Sequence, residues 1–183
     1  MSTGFQITDQ YATYFITPTI VDWVDIYSRK VYRDIVIDSL NHCIADKGLV
    51  VYGYVVMTNH MHMIVRGKDG NISGILRDFK KYTAYKMLTA IKEEPESRRE
   101  WLLHRFEWNA STNERSSNYQ VWMHDNHAEG VYSEDFFNQK LNYIHNNPVR
   151  AGWVEHPEEY VFSSAKALLQ QVPGLVAVTP WGF

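Results

Sequence analysis

Two histidines separated by one residue, His60-Met61-His62, are the first feature of the chain that could do chemistry. On an extended segment side chains alternate between faces, so both imidazoles would project from one face and Met61 from the other. Two neutral imidazoles on one face can share a metal ion, and imidazole suits zinc, copper, iron or nickel. Two ligands are too few, so a third must come from elsewhere in the chain. Tyr143 and Asn147 are four residues apart in a helical stretch, which places them on one face about 6 Å apart along the axis. An amide oxygen is a hard, neutral donor that suits magnesium or manganese, and two histidines plus one amide leave coordination positions for substrate oxygens. Each residue also has an ordinary structural use: a hydrogen-bonded histidine, an aromatic packed on a sheet, a helix cap before Pro148. His124, Asp125 and His127 form a second candidate cluster, which would suit a small hydrolytic metalloenzyme.

These residues need elements to hold them. The β-branched and aromatic run Tyr11 to Val21 predicts a strand, with Pro18 marking its end or a bulge near a sheet edge. Val31 to Lys47 predicts a helix stopped by Gly48. Leu49 to Met57 predicts a buried strand, Thr58-Asn59 a short turn, and His60 to Arg66 the returning strand of a hairpin. Asn71 to Ile91 predicts a second helix with Ile72, Ile75, Leu76, Phe79 and Tyr82 on one face and Arg77 and Lys81 on another. Lys92 to Asn118 reads as a loop with short irregular pieces, and Tyr119 to His124 as a further strand. Ser133 to Asn147 predicts a third helix, capped by Ser133 and ended by Pro148, and a short helix follows Ala165. The order β-α-β-β-α-β-α predicts an α+β fold. Its core is a ferredoxin-like antiparallel sheet with helices on one face, and the additional C-terminal helix carries Tyr143.

The bulk properties are those of one globular domain. The chain has 183 residues, 45% hydrophobic and 21% charged. Residues 1–165 are expected to form the functional domain and 166–183 a C-terminal tail. The single cysteine, Cys43, excludes an intrachain disulfide, and the start MSTGFQITDQ has neither the basic region nor the apolar core of a secretory leader. No apolar run is long enough for a membrane span, so a cytoplasmic protein without a membrane partner is expected. A net charge of −3 is unusual for a phosphate binder, but Arg66 to Lys86 holds six basic and two acidic residues. That segment offers Arg66, Lys80 and Lys81 as phosphate contacts, or else a solvated helix face.

Longer motifs surround the candidate residues. YVVMTNHMHMIV, Tyr54 to Val65, resembles the histidine motif of the single-tyrosine HUH transposases: a hydrophobic strand, an Asn turn, then His-hydrophobic-His. LNYIHNNPVRAGWVEHPEEYVFSSA, Leu141 to Ala165, is similar to the signature of the REP-associated tyrosine transposases. It carries Tyr143, Ile144, Asn147, Pro148, Val149, Gly152-Trp153, Tyr160 and Ser163-Ser164 at the family's spacing. Two departures are Thr58, where Pro or Ser is common, and the acidic net charge. The resemblance implies an HUH endonuclease and strand transferase acting on single-stranded or hairpin DNA. It implies Mg2+ or Mn2+ on His60, His62 and Asn147, and Tyr143 as the nucleophile that forms a 5′-phosphotyrosine. It also leaves a homodimer open. The base that deprotonates Tyr143 is not legible; His145, Lys86 and a metal-bound water all qualify. The alternative is a domesticated protein that grips a DNA hairpin and does not cut it.

Overall fold

A computed structural model describes residues 6–112 and 118–182. Four antiparallel strands form one sheet in the order β2-β3-β1-β4, with β1 Tyr14–Ile16, β2 Leu49–Val56, β3 Met61–Gly67 and β4 Glu129–Gly130. Five helices accompany it: α1 Lys30–Lys47, α2 Ile72–Glu93, α3 Arg99–Ser111, α4 Glu134–Arg150 and α5 Ala165–Gln170. The helices α1 and α2 pack on one face over the larger core, which takes Leu49, Val51, Tyr54 and Val56 from β2 and Met61, Met63 and Val65 from β3. A second, smaller core of Phe15, Val50, Tyr52, Val55, Ile64, Phe137 and Ile144 lies beneath α4 on the other face. The sheet is therefore covered on both sides, with α4 alone on the side opposite α1 and α2.

Local chemistry accounts for the element ends. Gly48 adopts a left-handed conformation at the end of α1, φ 72°, which costs glycine nothing. The Ser133 hydroxyl caps α4 by accepting from Phe136 N at 3.2 Å. Pro148 does not end α4; it lies inside the helix, which runs to Arg150. The stop comes from Gly152, φ 73°, where Gly152 N donates to Val149 O and Trp153 N donates to Pro148 O. This pair of bonds satisfies the last carbonyls of the helix, and proline costs it only one donor.

Three further expectations are corrected. The first strand is three residues long because Pro18 interrupts it, although pairing resumes at Thr19 opposite His60. Arg99–Ser111 is a helix and not part of a loop. Its buried stripe is only Leu102, Phe106 and Ala110, too narrow to announce itself among charged and exposed aromatic neighbours. Residues 113–117 of the expected loop lie outside the described residues. The segment Tyr119 to His124 makes one bridge, Ile20 to Trp122, and the fourth strand proper is Glu129–Gly130. What holds that segment is a side chain: Trp122 is buried against Tyr27 and Phe79, and its Nε1 donates to Thr83 Oγ1 at 3.0 Å.

The C-terminal tail is stitched into the domain. Val176 is buried in the larger core, Thr179 N donates to Val51 O at 2.8 Å, and Trp181 stacks on Phe137 with ring centroids 4.4 Å apart.

Candidate functional site

The seat of α4 is set first, because it carries Tyr143. Gly53 makes close approach to β2 possible: a Cβ there would lie 2.5 Å from Leu141 Cδ1. His145, buried on the sheet side of α4, meets Ser164 Oγ at 2.9 Å, and Tyr54 N donates to that same hydroxyl at 3.0 Å. Tyr160 Oη donates to Val56 O at 2.8 Å, and Val56 N donates to Phe162 O. The Tyr160 and Ser164 positions of the C-terminal motif thus clamp α4 and the 160–164 segment to the edge of β2. Burial pushes the His145 pKa down to about 4, so it sits neutral in this clamp, with Nε2 directed at Ser164 and not at Tyr143. Lys86 is on α2, across the sheet from Tyr143.

Tyr143 stands two residues from His145 along the helix and so faces away from that clamp. The residue is 38% exposed, and its ring meets His62 edge-on with centroids 5.1 Å apart. Phe15 stacks on His62 at 5.5 Å and meets the Tyr143 ring edge-on at 6.1 Å, so the three rings form a triangle, and the Arg150 guanidinium lies 5.8 Å from the Tyr143 ring centroid. His60, His62 and Tyr143 are therefore brought together on the α4 side of the sheet, while Met61 and Met63 enter the opposite core.

The histidine nitrogens have a defined arrangement. Asn59 Nδ2 donates to the Trp23 carbonyl at 3.1 Å, which leaves Asn59 Oδ1 to accept from His60 Nδ1 at 2.6 Å. His60 then carries its proton on Nδ1 and turns the lone pair of Nε2 toward His62. His62 Nδ1 lies 2.9 Å from Thr17 Oγ1, and the two Nε2 atoms are 3.1 Å apart. When the Thr17 hydroxyl donates, His62 Nε2–H donates to His60 and the pair is satisfied by itself. When the hydroxyl accepts, two lone pairs face one point, an arrangement that only a cation stabilises. Burial lowers both pKa values, that of His62 to about 3 with further contributions from His60 and Lys140, so both rings are neutral at neutral pH.

These residues fit a divalent ion. An ion about 2.1 Å from each nitrogen would be held at close to a right angle by atoms with this separation. Among the described residues no group of three or more His, Cys, Asp or Glu could hold a metal, so a third donor from the chain would have to be of another residue type. Asn147 lies one turn beyond Tyr143; its Nδ2 donates to Tyr143 O at 2.8 Å, which leaves Oδ1 as the acceptor atom of the amide. It makes no hydrogen bond to either imidazole among the described residues. The rival cluster forms a turn: Asp125 Oδ1 accepts from His127 N at 2.7 Å, with His127 at φ 45°.

The expected phosphate contacts are dispersed. Arg66 is exposed on β3, on the His62 side by alternation but four residues away. Lys80 and Lys81 are on α2, across the sheet. Lys80 Nζ donates to Met123 O at 2.8 Å and lies 6.0 Å from the Trp122 ring, and burial lowers its pKa to about 8. It pins the 119–124 segment, and a phosphate would have to displace that contact. Lys81 is exposed and borders a groove of about 370 Å³ between α1 and α2, with Tyr82 and Tyr85.

Sequence reasoning missed several residues beside the histidines. Thr17 is 45 residues from His62, so only strand pairing reveals it. Lys140, on the Tyr143 side of α4, pairs with Glu129 at 2.8 Å and lies 4.3 Å from the Phe15 ring. Trp23 is 59% exposed and touches the His60 ring edge-on at 5.8 Å. Asp22 and Trp23 hold φ values of 53° and 54°, each costing about 1–2 kcal/mol for a residue other than glycine. Only Asn59 had a visible signal, in the turn that precedes His60.

Comparison with known proteins adds two findings. The family described as Transposase IS200 like matches residues 20–121. A solved structure of a REP-associated tyrosine transposase bound to a REP hairpin superposes with a TM-score of 0.60 at 18% identity, covering 100% of this chain and 95% of that one. At that identity the likeness establishes the fold. None of the curated proteins compared matches the chain.

Proposed function

The chain belongs to the IS200-like transposase family, and from that premise we propose that it cuts and rejoins single-stranded DNA beside a hairpin, with Tyr143 as the nucleophile. The observation that carries this reading is the edge-on contact between Tyr143 and His62, whose Nε2 faces that of His60 at 3.1 Å. A phenol and a candidate ion site share one surface, which is what phosphoryl transfer by positioning and charge stabilisation requires. The hairpin-bound state of the structural relative supports a hairpin substrate.

His60 and His62 would hold a magnesium or manganese ion, with Asn147 Oδ1 as a third donor. When bound, the ion supplies Lewis-acid polarisation of a phosphate oxygen. Arg150, 5.8 Å from the Tyr143 ring centroid and outside any ion pair among the described residues, is the side chain placed to meet strand phosphates. Phe15, stacked on His62, and Tyr143, edge-on to both, hold its ring in orientation.

Tyr143 Oη attacks phosphorus. The Oη–P bond forms as the bond from phosphorus to the 3′ oxygen breaks. The phenol proton leaves to solvent, to which Tyr143 is open, and the departing 3′ oxygen takes up one proton. The strand end remains as a 5′-phosphotyrosine, and a second 3′-hydroxyl can reverse the step and join a new strand.

Incubation with manganese and a labelled hairpin oligonucleotide, followed by a denaturing gel and peptide mapping, tests the reading. A covalent adduct on Tyr143, lost in Tyr143→Phe with a rate decrease on the order of 10⁴-fold or more, is the expected result. Robust cleavage by Tyr143→Phe, or an adduct on Tyr82 or Tyr85, would reassign the nucleophile. Tight hairpin binding without any cleavage would establish the non-cutting alternative.

A further inference from the structure

Trp23 is an unusual neighbour for a metal site. A large apolar ring gains by burial, yet more than half of this one is open to solvent. Its backbone is in the left-handed region together with that of Asp22, a conformation that tryptophan rarely adopts. Strain of this kind persists only where surroundings impose it. Here the restraints are explicit. Asp22 Oδ2 accepts from Asn109 Nδ2 at 2.8 Å and lies 3.7 Å from Arg105 Nη1, so α3 anchors the residue before it. Trp23 N donates to Ile20 O at 3.2 Å, and Trp23 O accepts from Asn59 Nδ2 at 3.1 Å.

Asn59 also accepts from His60, so one side chain ties the tryptophan backbone to the imidazole. The indole and His60 rings meet edge-on at 5.8 Å. An exposed aromatic surface on a restrained backbone thus borders the nitrogens where a phosphate would be polarised. Trp101 and Trp108 are also exposed, but both are on α3, and no ring contact joins either to His60 or His62 among the described residues.

On the reading of this site as a DNA strand-cutting centre, we infer that Trp23 is a stacking platform for a nucleobase of the single strand, beside the phosphate held at His60 and His62. Every base has a π face, so such a platform grips a strand without reading its sequence. With its backbone already restrained, the residue spends less conformational entropy on binding and fixes where the strand enters the site.

The test uses the full chain with manganese, a thymidine homopolymer carrying 5-iododeoxyuridine, and an otherwise equal abasic strand. Irradiation is expected to crosslink the iodouracil to Trp23, identified by peptide mapping. Trp23→Ala is expected to weaken binding of the base-bearing strand by about 5- to 100-fold and to leave the abasic strand unchanged. Trp23→Phe should recover most of the loss, and manganese affinity should be equal in all three proteins. Crosslinks confined to Tyr82, Tyr85, Trp101 or Trp108, or equal binding by Trp23→Ala, would overturn the inference and leave the functional reading intact. A wild-type protein that binds neither the homopolymer nor a DNA hairpin would overturn the reading and the inference together.

Discussion

Met61, His62 and Met63 are consecutive on β3, yet the methionines and the histidine meet different surroundings. The methionines are fully buried among the side chains of α1, α2 and the neighbouring strands. His62 looks the other way, into polar and aromatic groups beneath α4: Thr17, His60, Phe15 and Tyr143. One face of the sheet is packed by two long helices; the other is covered by one, and its margin stays open at Tyr143 and Trp23. The strand separates the two tasks with a single geometric rule, the alternation of side chains. The packed core and the candidate site can then be altered from adjacent positions.

The strongest way to break this comparison is to exchange the effects of neighbours. His62→Ala is expected to lower manganese affinity more than 100-fold, measured by calorimetry, while the protein stays folded. Met63→Ala is expected to keep manganese affinity within a few-fold and to lose about 2–5 kcal/mol of stability in urea, because a buried side chain leaves a cavity. A Met63→Ala protein that loses its metal, or a His62→Ala protein that keeps it, would show that the faces are not separate.

A smaller effect lies in the α4 clamp. The pKa of His145 is pushed down to about 4 from an ordinary value near 6.5. The unfolded chain therefore takes up a proton that the folded one refuses between those values. Stability from this group is complete above about pH 6.5 and is lost as pH falls toward 4. Between pH 7 and pH 4.5 the loss attributable to His145 is roughly 2–3 kcal/mol. Urea titrations of wild type and His145→Gln at both pH values should differ by that amount in their pH-dependent loss. Equal losses would mean that the clamp does not exclude the charged ring.

The smallest expected effect sharpens the comparison on the open face. Asn59→Ala and Thr17→Val remove the groups that hydrogen-bond the imidazole nitrogens on the side away from the candidate ion position. Each is expected to weaken manganese binding about 10- to 100-fold with the histidines in place. Thr17→Ser, which keeps the hydroxyl, should restore most of the affinity. If it restores none, Thr17 acts through packing and not through its hydrogen bond to His62.

Local pattern was enough for much of this molecule. Helical spacing and Gly48 bound α1, continuous apolar runs and a short turn make the β2–β3 hairpin, and Ser133 starts α4 through its own hydroxyl. The shared face of His60 and His62 follows from a period of two and needed no fold. Where a local signal was weak or opposed, the reading failed: the stripe of α3 is too narrow, and Pro148 only weakens a helix that Gly152 actually stops. Other features are invisible locally because they are contacts between distant segments. The sequence alone determined which side chains share a face of each element, since that depends only on backbone period. The tertiary structure alone decided which faces meet. It placed α4 across the sheet from α1 and α2, set Thr17 against His62, turned Lys80 toward the 119–124 segment, and held Trp23 exposed beside His60. Such pairings depend on which apolar surfaces bury one another, and that is a property of the whole chain.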